Sequence, residues 1–191
     1  MERIALVGHS YIARLEDDIK RGHLDFGINL NLPEDYLVGY FGFRGATSSS
    51  LVDSPQMQVC KEWKPHKVFL QVGGNDISPV MSAVDVVQGI RGVADRFLDF
   101  ESVESVIIGS LFHRTRPRGM TAEDYNVQVD RVNKFLKKFY QQDTRVHFWT
   151  IRGLVKPSWN IWTSDGTHLN NSATMKYAQQ IRMAVRCNKY R

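Results

Sequence analysis

A serine, a histidine and an aspartate can serve as nucleophile, base and orienting carboxylate when a fold brings them within hydrogen-bond reach. This chain carries Ser10 in Gly8-His9-Ser10 near one end, and Asp165 and His168 in Asp165-Gly166-Thr167-His168 near the other. The three-residue spacing of the latter pair lets one short segment present an imidazole with a carboxylate on its Nδ1–H. Two further strings lie between them. Gly45, in Phe43-Arg44-Gly45-Ala46-Thr47, has no side chain to shield its backbone N–H, and Asn75, in Gly73-Gly74-Asn75-Asp76, offers a carboxamide NH₂. With the N–H of Ser10 itself, they could supply three donors to an oxyanion developing during acyl transfer, each worth about 10²–10³ in rate once positioned. Each string alone has a plainer reading, Ser10 as a helix cap and Asn75 as a turn former. Their weight depends on whether they converge.

The elements that would bring them together are legible from periodicity. Short apolar runs predict strands over 3–7, 36–43, 67–72, 105–109 and 145–150, the pattern of parallel strands covered on both faces. Between them, stripes at helical spacing predict helices over 10–21, 82–100, 121–140 and 171–186, with a helix interrupted near Pro55 between Ser48 and Trp63. The stretch 22–33 reads as a polar loop. Strands alternating with helices imply one α/β domain over residues 1–191, a parallel doubly wound sheet with helices on both faces. In such a sheet ligands bind beyond the carboxyl ends of the strands. Ser10, Gly45, Asn75 and the Asp165–His168 segment each follow a different strand, so all four strings are expected on one rim.

The ordered quartet resembles the four blocks of the SGNH hydrolases, also known as the GDSL esterase/lipase family. Ser10, Gly45 and Asn75 match the first three blocks, and Asp165 with His168 the last. The resemblance implies a flavodoxin-like three-layer α/β/α sandwich with a five-stranded parallel sheet. It further implies hydrolysis of carboxylic esters, such as acetyl or other short acyl groups on lipids or sugars, without metal or cofactor. The implied catalytic residues are Ser10, His168 and Asp165, and the implied oxyanion donors are Ser10, Gly45 and Asn75. Where the family pattern has an aspartate, this chain has His9. A protonated imidazole is disfavoured at a helix N-terminus, so His9 is expected to be neutral. Gly8-His9-Ser10-Tyr11 and Phe43-Arg44-Gly45-Ala46-Thr47 are also similar to esterase domains of animal non-LTR retrotransposon proteins. That similarity implies an alternative, a binding or assembly module that contacts anionic lipid or nucleic acid.

Lys and Arg outnumber Asp and Glu by 25 to 20, a net charge of +5 that is compatible with an anionic partner. The basic residues gather at Arg114, Arg116 and Arg118, at Lys134, Lys137 and Lys138, and at Arg182, Arg186, Lys189 and Arg191. Since the strand at 105–109 delivers the first group to the rim, Arg114 and Arg116, with His113 and His9, are candidate substrate contacts. No carboxylate is evident beside His113 in the sequence. No His, Cys or Asp cluster has metal-ligand spacing, and phosphate-binding glycine patterns are missing. Cys60 and Cys187 are expected as buried or half-buried free thiols. No apolar run reaches the roughly 20 residues of a transmembrane helix. Met1-Glu2-Arg3 leads straight into a strand without a signal-peptide core, so an intracellular, cytoplasmic setting is expected.

Overall fold

A computed structural model describes residues 1–157 and 159–187; Lys189 and Arg191 of the last basic group lie outside the described residues. In chain order the elements are β1 (Glu2–Gly8), α1 (Ser10–Lys20), β2 (Tyr36–Gly42), α2 (Ser48–Val52), α3 (Pro55–Glu62) and β3 (Lys67–Gln71). They continue with α4 (Ala83–Leu98), β4 (Ser105–Gly109), α5 (Ala122–Phe139), β5 (Val146–Trp149) and α6 (Asn171–Arg186). The five strands form one sheet in the order β2-β1-β3-β4-β5, every pair parallel. The expected three-layer α/β/α architecture is therefore the observed one.

The two-residue alternation of the strands divides the core. Ile4, Leu6, Phe69 and Ile107 face one side, where Ile12, Leu15 and Ile19 of α1 meet Tyr177, Ala178 and Ile181 of α6. Ala5, Val7, Val68, Leu70, Val106 and Ile108 face the other, covered by Val86, Ile90, Val93 and Phe97 of α4 and by Tyr125, Val129, Val132 and Leu136 of α5. Each large apolar side chain so buried contributes roughly 1.5–3 kcal/mol. Every residue of β3 and β4 is buried, the consequence of helices on both faces.

The helices after α1 begin at side-chain caps, whereas His9 ahead of α1 makes no cap bond. Thr121 accepts from the backbone N–H of Asp124, and Ser82 from that of Asp85. The last strand spans 146–149 rather than the 145–150 expected; at its start the carboxylate of Asp143 takes the backbone N–H groups of Arg145 and Val146 at 2.8 and 2.7 Å, while Arg145 O accepts the Val106 N–H at 2.8 Å. At the other end, Ser110 Oγ takes the N–H of Ile151 at 2.9 Å. The 22–33 stretch is a loop, but its Leu24, Leu30 and Leu32 join the α1/α6 core. Asn29 and Asn31 hold its turns, accepting from the N–H groups of Asn31 and Gly27 at 3.1 and 2.7 Å. Cys60 is buried, Cys187 half-buried, and both are free thiols. Among the described residues, no helix is long and apolar enough to cross a membrane.

Candidate active site

The sheet order reverses direction between β1 and β3, and the crevice at such a switch point is where α/β sheets place their ligands. Ser10 sits there as the first residue of α1, directly after β1. Two glycines allow the tight junction. A Cβ on Gly8 would stand 2.3 Å from the carbonyl oxygen of Gln71 in β3, and one on Gly42 would stand 2.4 Å from the backbone nitrogen of Ala13 in α1. The backbone N–H of His9 donates to Gln71 O at 3.2 Å, and that of Phe43 to Gly8 O at 2.8 Å. The start of α1 is thus tied to the ends of β2 and β3.

Asp165 and His168 lie on a tight loop closed by an antiparallel bridge between Trp162 and Leu169. The loop folds on its own carboxylate. Asp165 Oδ1 accepts from the backbone N–H groups of Thr167 and His168 and from Thr163 Oγ1, each at 2.9 Å. The second oxygen, Oδ2, is left for His168 Nδ1 at 2.6 Å, and His168 Nε2 lies 3.1 Å from Ser10 Oγ. Partial burial works against ionisation of Asp165. The bonds from the His168 ring, the two backbone N–H groups and Thr163 outweigh it and hold the carboxyl well below its usual range. The loop is braced from outside. Tyr11 Oη donates to Thr167 O at 2.9 Å, Thr167 Oγ1 to Arg116 O at 2.9 Å, and Thr115 N to Gly166 O at 3.0 Å. Gly166 has φ +66, and a Cβ there would meet Thr115 Oγ1 at 2.4 Å, so only glycine fits this turn.

The donor strings are locked to each other. Asn75 Nδ2 donates to Ala46 O at 3.0 Å, which joins the string after β3 to the turn containing Gly45. Gly45 itself has φ +78, a left-handed turn position open to solvent. Asp76, the next residue after Asn75, is buried and accepts the backbone N–H of Ser48 at 2.9 Å together with a short bond from Ser48 Oγ. Burial pushes the Asp76 carboxyl above its ordinary value, although its bonds to Ser48 oppose the shift. This carboxylate secures the start of α2. In the sequence Asp76 reads only as part of a turn, because nothing local marks its partner 28 residues away.

The candidate substrate contacts have different fates. His9 is 1% exposed, with its ring 4.7 Å from that of Tyr11 and its Nδ1 without a hydrogen-bond partner. Burial, then the charge of Arg114 and the neighbouring His168, lower its pKa to about 3, so it is neutral, as the helix-terminus argument expects. Arg114, expected as an exposed contact on a basic rim loop, is instead buried. Its Nη2 donates to Asn75 Oδ1 at 3.1 Å and its guanidinium lies 5.1 Å from the centre of the Tyr125 ring. His113 does have a carboxylate partner, since its Nε2 stands 2.9 Å from Asp130 Oδ1, which α5 supplies from 17 residues away. Arg116 remains exposed beside the Asp165–His168 loop and donates to Ser164 O at 3.1 Å. Trp162 is buried under this loop, while Trp159 is exposed. Among the described residues, no group of three or more His, Cys, Asp or Glu side chains is placed to hold a metal ion.

A parallel 2-1-3-4-5 sheet with a serine, a histidine and an aspartate hydrogen-bonded in series at its carboxyl edge defines an SGNH-type hydrolase architecture. The chain belongs to the GDSL-like lipase/acylhydrolase family, whose model matches residues 6–173. Solved structures agree at the level of fold. A carbohydrate esterase family 3 protein from Talaromyces cellulolyticus superposes with a TM-score of 0.65 at 17% identity, over 95% of this chain and 94% of that one. A member of the lipolytic G-D-S-L family from Veillonella parvula does so at 0.65 and 15% identity, over 98% of this chain and 100% of that one. No curated protein sequence matches the chain.

Proposed function

We infer that this protein is a serine esterase that hydrolyses carboxylic esters of short acyl groups through an acyl-enzyme intermediate. The observation that carries the reading is the continuous Ser10–His168–Asp165 hydrogen-bond series, 3.1 and 2.6 Å long, on the rim where the donors also gather.

In this reading Ser10 Oγ attacks the ester carbonyl while His168 Nε2 takes its proton. Asp165 holds the Nδ1–H tautomer and stabilises the imidazolium that forms. The tetrahedral oxyanion accepts from the N–H groups of Ser10 and Gly45 and from the Asn75 carboxamide. Collapse breaks the bond to the alcohol, which leaves with the proton from His168 and puts the acyl group on Ser10. A water molecule then attacks, gives its proton to His168, and the second collapse releases the acid and restores the serine. The helix-first-turn position of Ser10 supports this assignment, because the free N–H groups and dipole there favour the developing negative charge.

The test is hydrolysis of p-nitrophenyl esters from acetate to long chains, with Ser10→Ala as the control. The expected result is turnover that falls with chain length and is lost in Ser10→Ala. Unchanged turnover in that variant removes Ser10 from the chemistry.

A further inference from the structure

Arg114 is a buried cation that the mechanism above does not use. Its residue is 6% exposed, yet among the described residues no carboxylate lies within ion-pair distance of it. Its Nε has no hydrogen-bond partner. Burying a guanidinium without a counter-charge is costly, and removing it to solvent would require only another rotamer unless the surroundings hold it. They do hold it. Asn126 clamps its backbone from both sides, with Oδ1 accepting the Arg114 N–H at 2.8 Å and Nδ2 donating to Arg114 O at 3.2 Å. Tyr125 lies under the guanidinium and fixes its own hydroxyl on Gly74 O at 2.9 Å.

The guanidinium is aimed at the string after β3. Its Nη2 stands 3.0 Å from where a Cβ on Gly74 would be, with His9 Nε2 3.4 Å from the same point, so the bare glycine is what lets both approach. Next to it, Nη2 donates to Asn75 Oδ1. A guanidinium has donors and no acceptor, so only the oxygen of the carboxamide can face it. The NH₂ must then point the other way, where Nδ2 donates to Ala46 O and keeps a second N–H that no described residue accepts. The adjacent His9 is neutral, and the Asp165 carboxylate acts on the guanidinium only from beyond ion-pair distance.

We propose that Arg114 is a positioning residue for the esterase site: it fixes the Asn75 carboxamide with its oxygen inward and its N–H toward the oxyanion, and places a buried positive charge behind that donor. The inference rests on the serine-esterase reading and adds to it a device that acts through Asn75. An amide turned over would present its oxygen to the oxyanion and convert a donor into a repulsive contact.

The experiment is a double-mutant cycle on p-nitrophenyl acetate hydrolysis, with kcat and KM measured separately and folding checked by circular dichroism. Arg114→Gln is expected to lower kcat about 10²-fold, the effect of one misplaced oxyanion donor, with KM changed less than about threefold. Arg114→Lys retains the charge without the planar fork, and its loss should be about tenfold. In an Asn75→Ala background both losses should shrink to less than about threefold, because the route through the carboxamide is gone. Full losses that persist in that background, or losses confined to KM, overturn the proposal. If Arg114→Gln does not fold, the same cycle with Arg114→Lys decides the point. Ser10→Ala separates the two levels: turnover that survives it refutes the serine mechanism and the proposal with it. A dead Ser10→Ala with additive Arg114 losses refutes the proposal alone.

Discussion

Replacing Asp165 by asparagine tests the site more sharply than deleting it, because the structure dictates how the amide must sit. Three donors converge on Oδ1: the N–H groups of Thr167 and His168 and the Thr163 hydroxyl, all at 2.9 Å. The substituted amide would keep its carbonyl oxygen there and so place its NH₂ in the Oδ2 position, 2.6 Å from His168 Nδ1. Facing a donor, Nδ1 must become the acceptor, and the proton moves to Nε2, which faces Ser10. The base is then blocked. The same wrong-tautomer logic in a serine protease costs about 10⁴ in kcat, and a loss of about 10³–10⁴ is expected here with little change in KM. Stability should change little, because the Oδ1 bonds survive and the carboxylate is nearly half exposed, which limits its ionic contribution to about 1 kcal/mol. The sign of that contribution is set by the depressed pKa: it is present above the unfolded value near 3.9 and lost as the pH falls below it. Steady-state kinetics on p-nitrophenyl acetate, with melting curves alongside, measure both parts. A fall in kcat of less than tenfold in a folded variant would refute the tautomer argument.

Two more perturbations follow from the junction at Ser10. Unfolded histidine takes up its proton near pH 6.5, whereas buried His9 resists down to about 3, so stability should decline as the pH is lowered across that interval. Each unit of mismatch is worth about 1.4 kcal/mol. His9→Gln should flatten the dependence of Tm on pH between about 6.5 and 4, and an unaltered slope would show that another group is responsible. Gly8→Ala would set a methyl group 2.3 Å from Gln71 O, in backbone that cannot swing aside. It should cost about 1–3 kcal/mol or more by denaturant unfolding and lower kcat as well, because Ser10 is two residues away. A variant with wild-type stability and rate would mean that the β1–α1 junction absorbs a shift its close packing argues against.

The architecture and the gathering of the candidate site residues on one rim are legible in the chain alone. Apolar runs of strand length alternating with helical stripes admit little besides a parallel sheet covered on both faces. A parallel sheet sends every post-strand segment to the same edge, so Ser10, Gly45, Asn75 and the Asp165–His168 loop had to share a rim. Such deductions succeed because periodicity and chain direction are local properties. Arg114 escapes them for the opposite reason. In the sequence it belongs to a string of basic loop residues, and its burial comes from Asn126, Tyr125 and Tyr11, which arrive from two helices far apart in the chain. The carboxylate beside His113 is hidden likewise, since Asp130 is brought to it by the packing of α5. Asp76 reaches Ser48 only because β3 and the β2–α2 turn end side by side. Which charged groups are buried, and against what, depends on contacts between distant segments. Long-range packing alone therefore reveals that the rim is supported from beneath by a buried cation without an ion-pair partner and a neutral histidine.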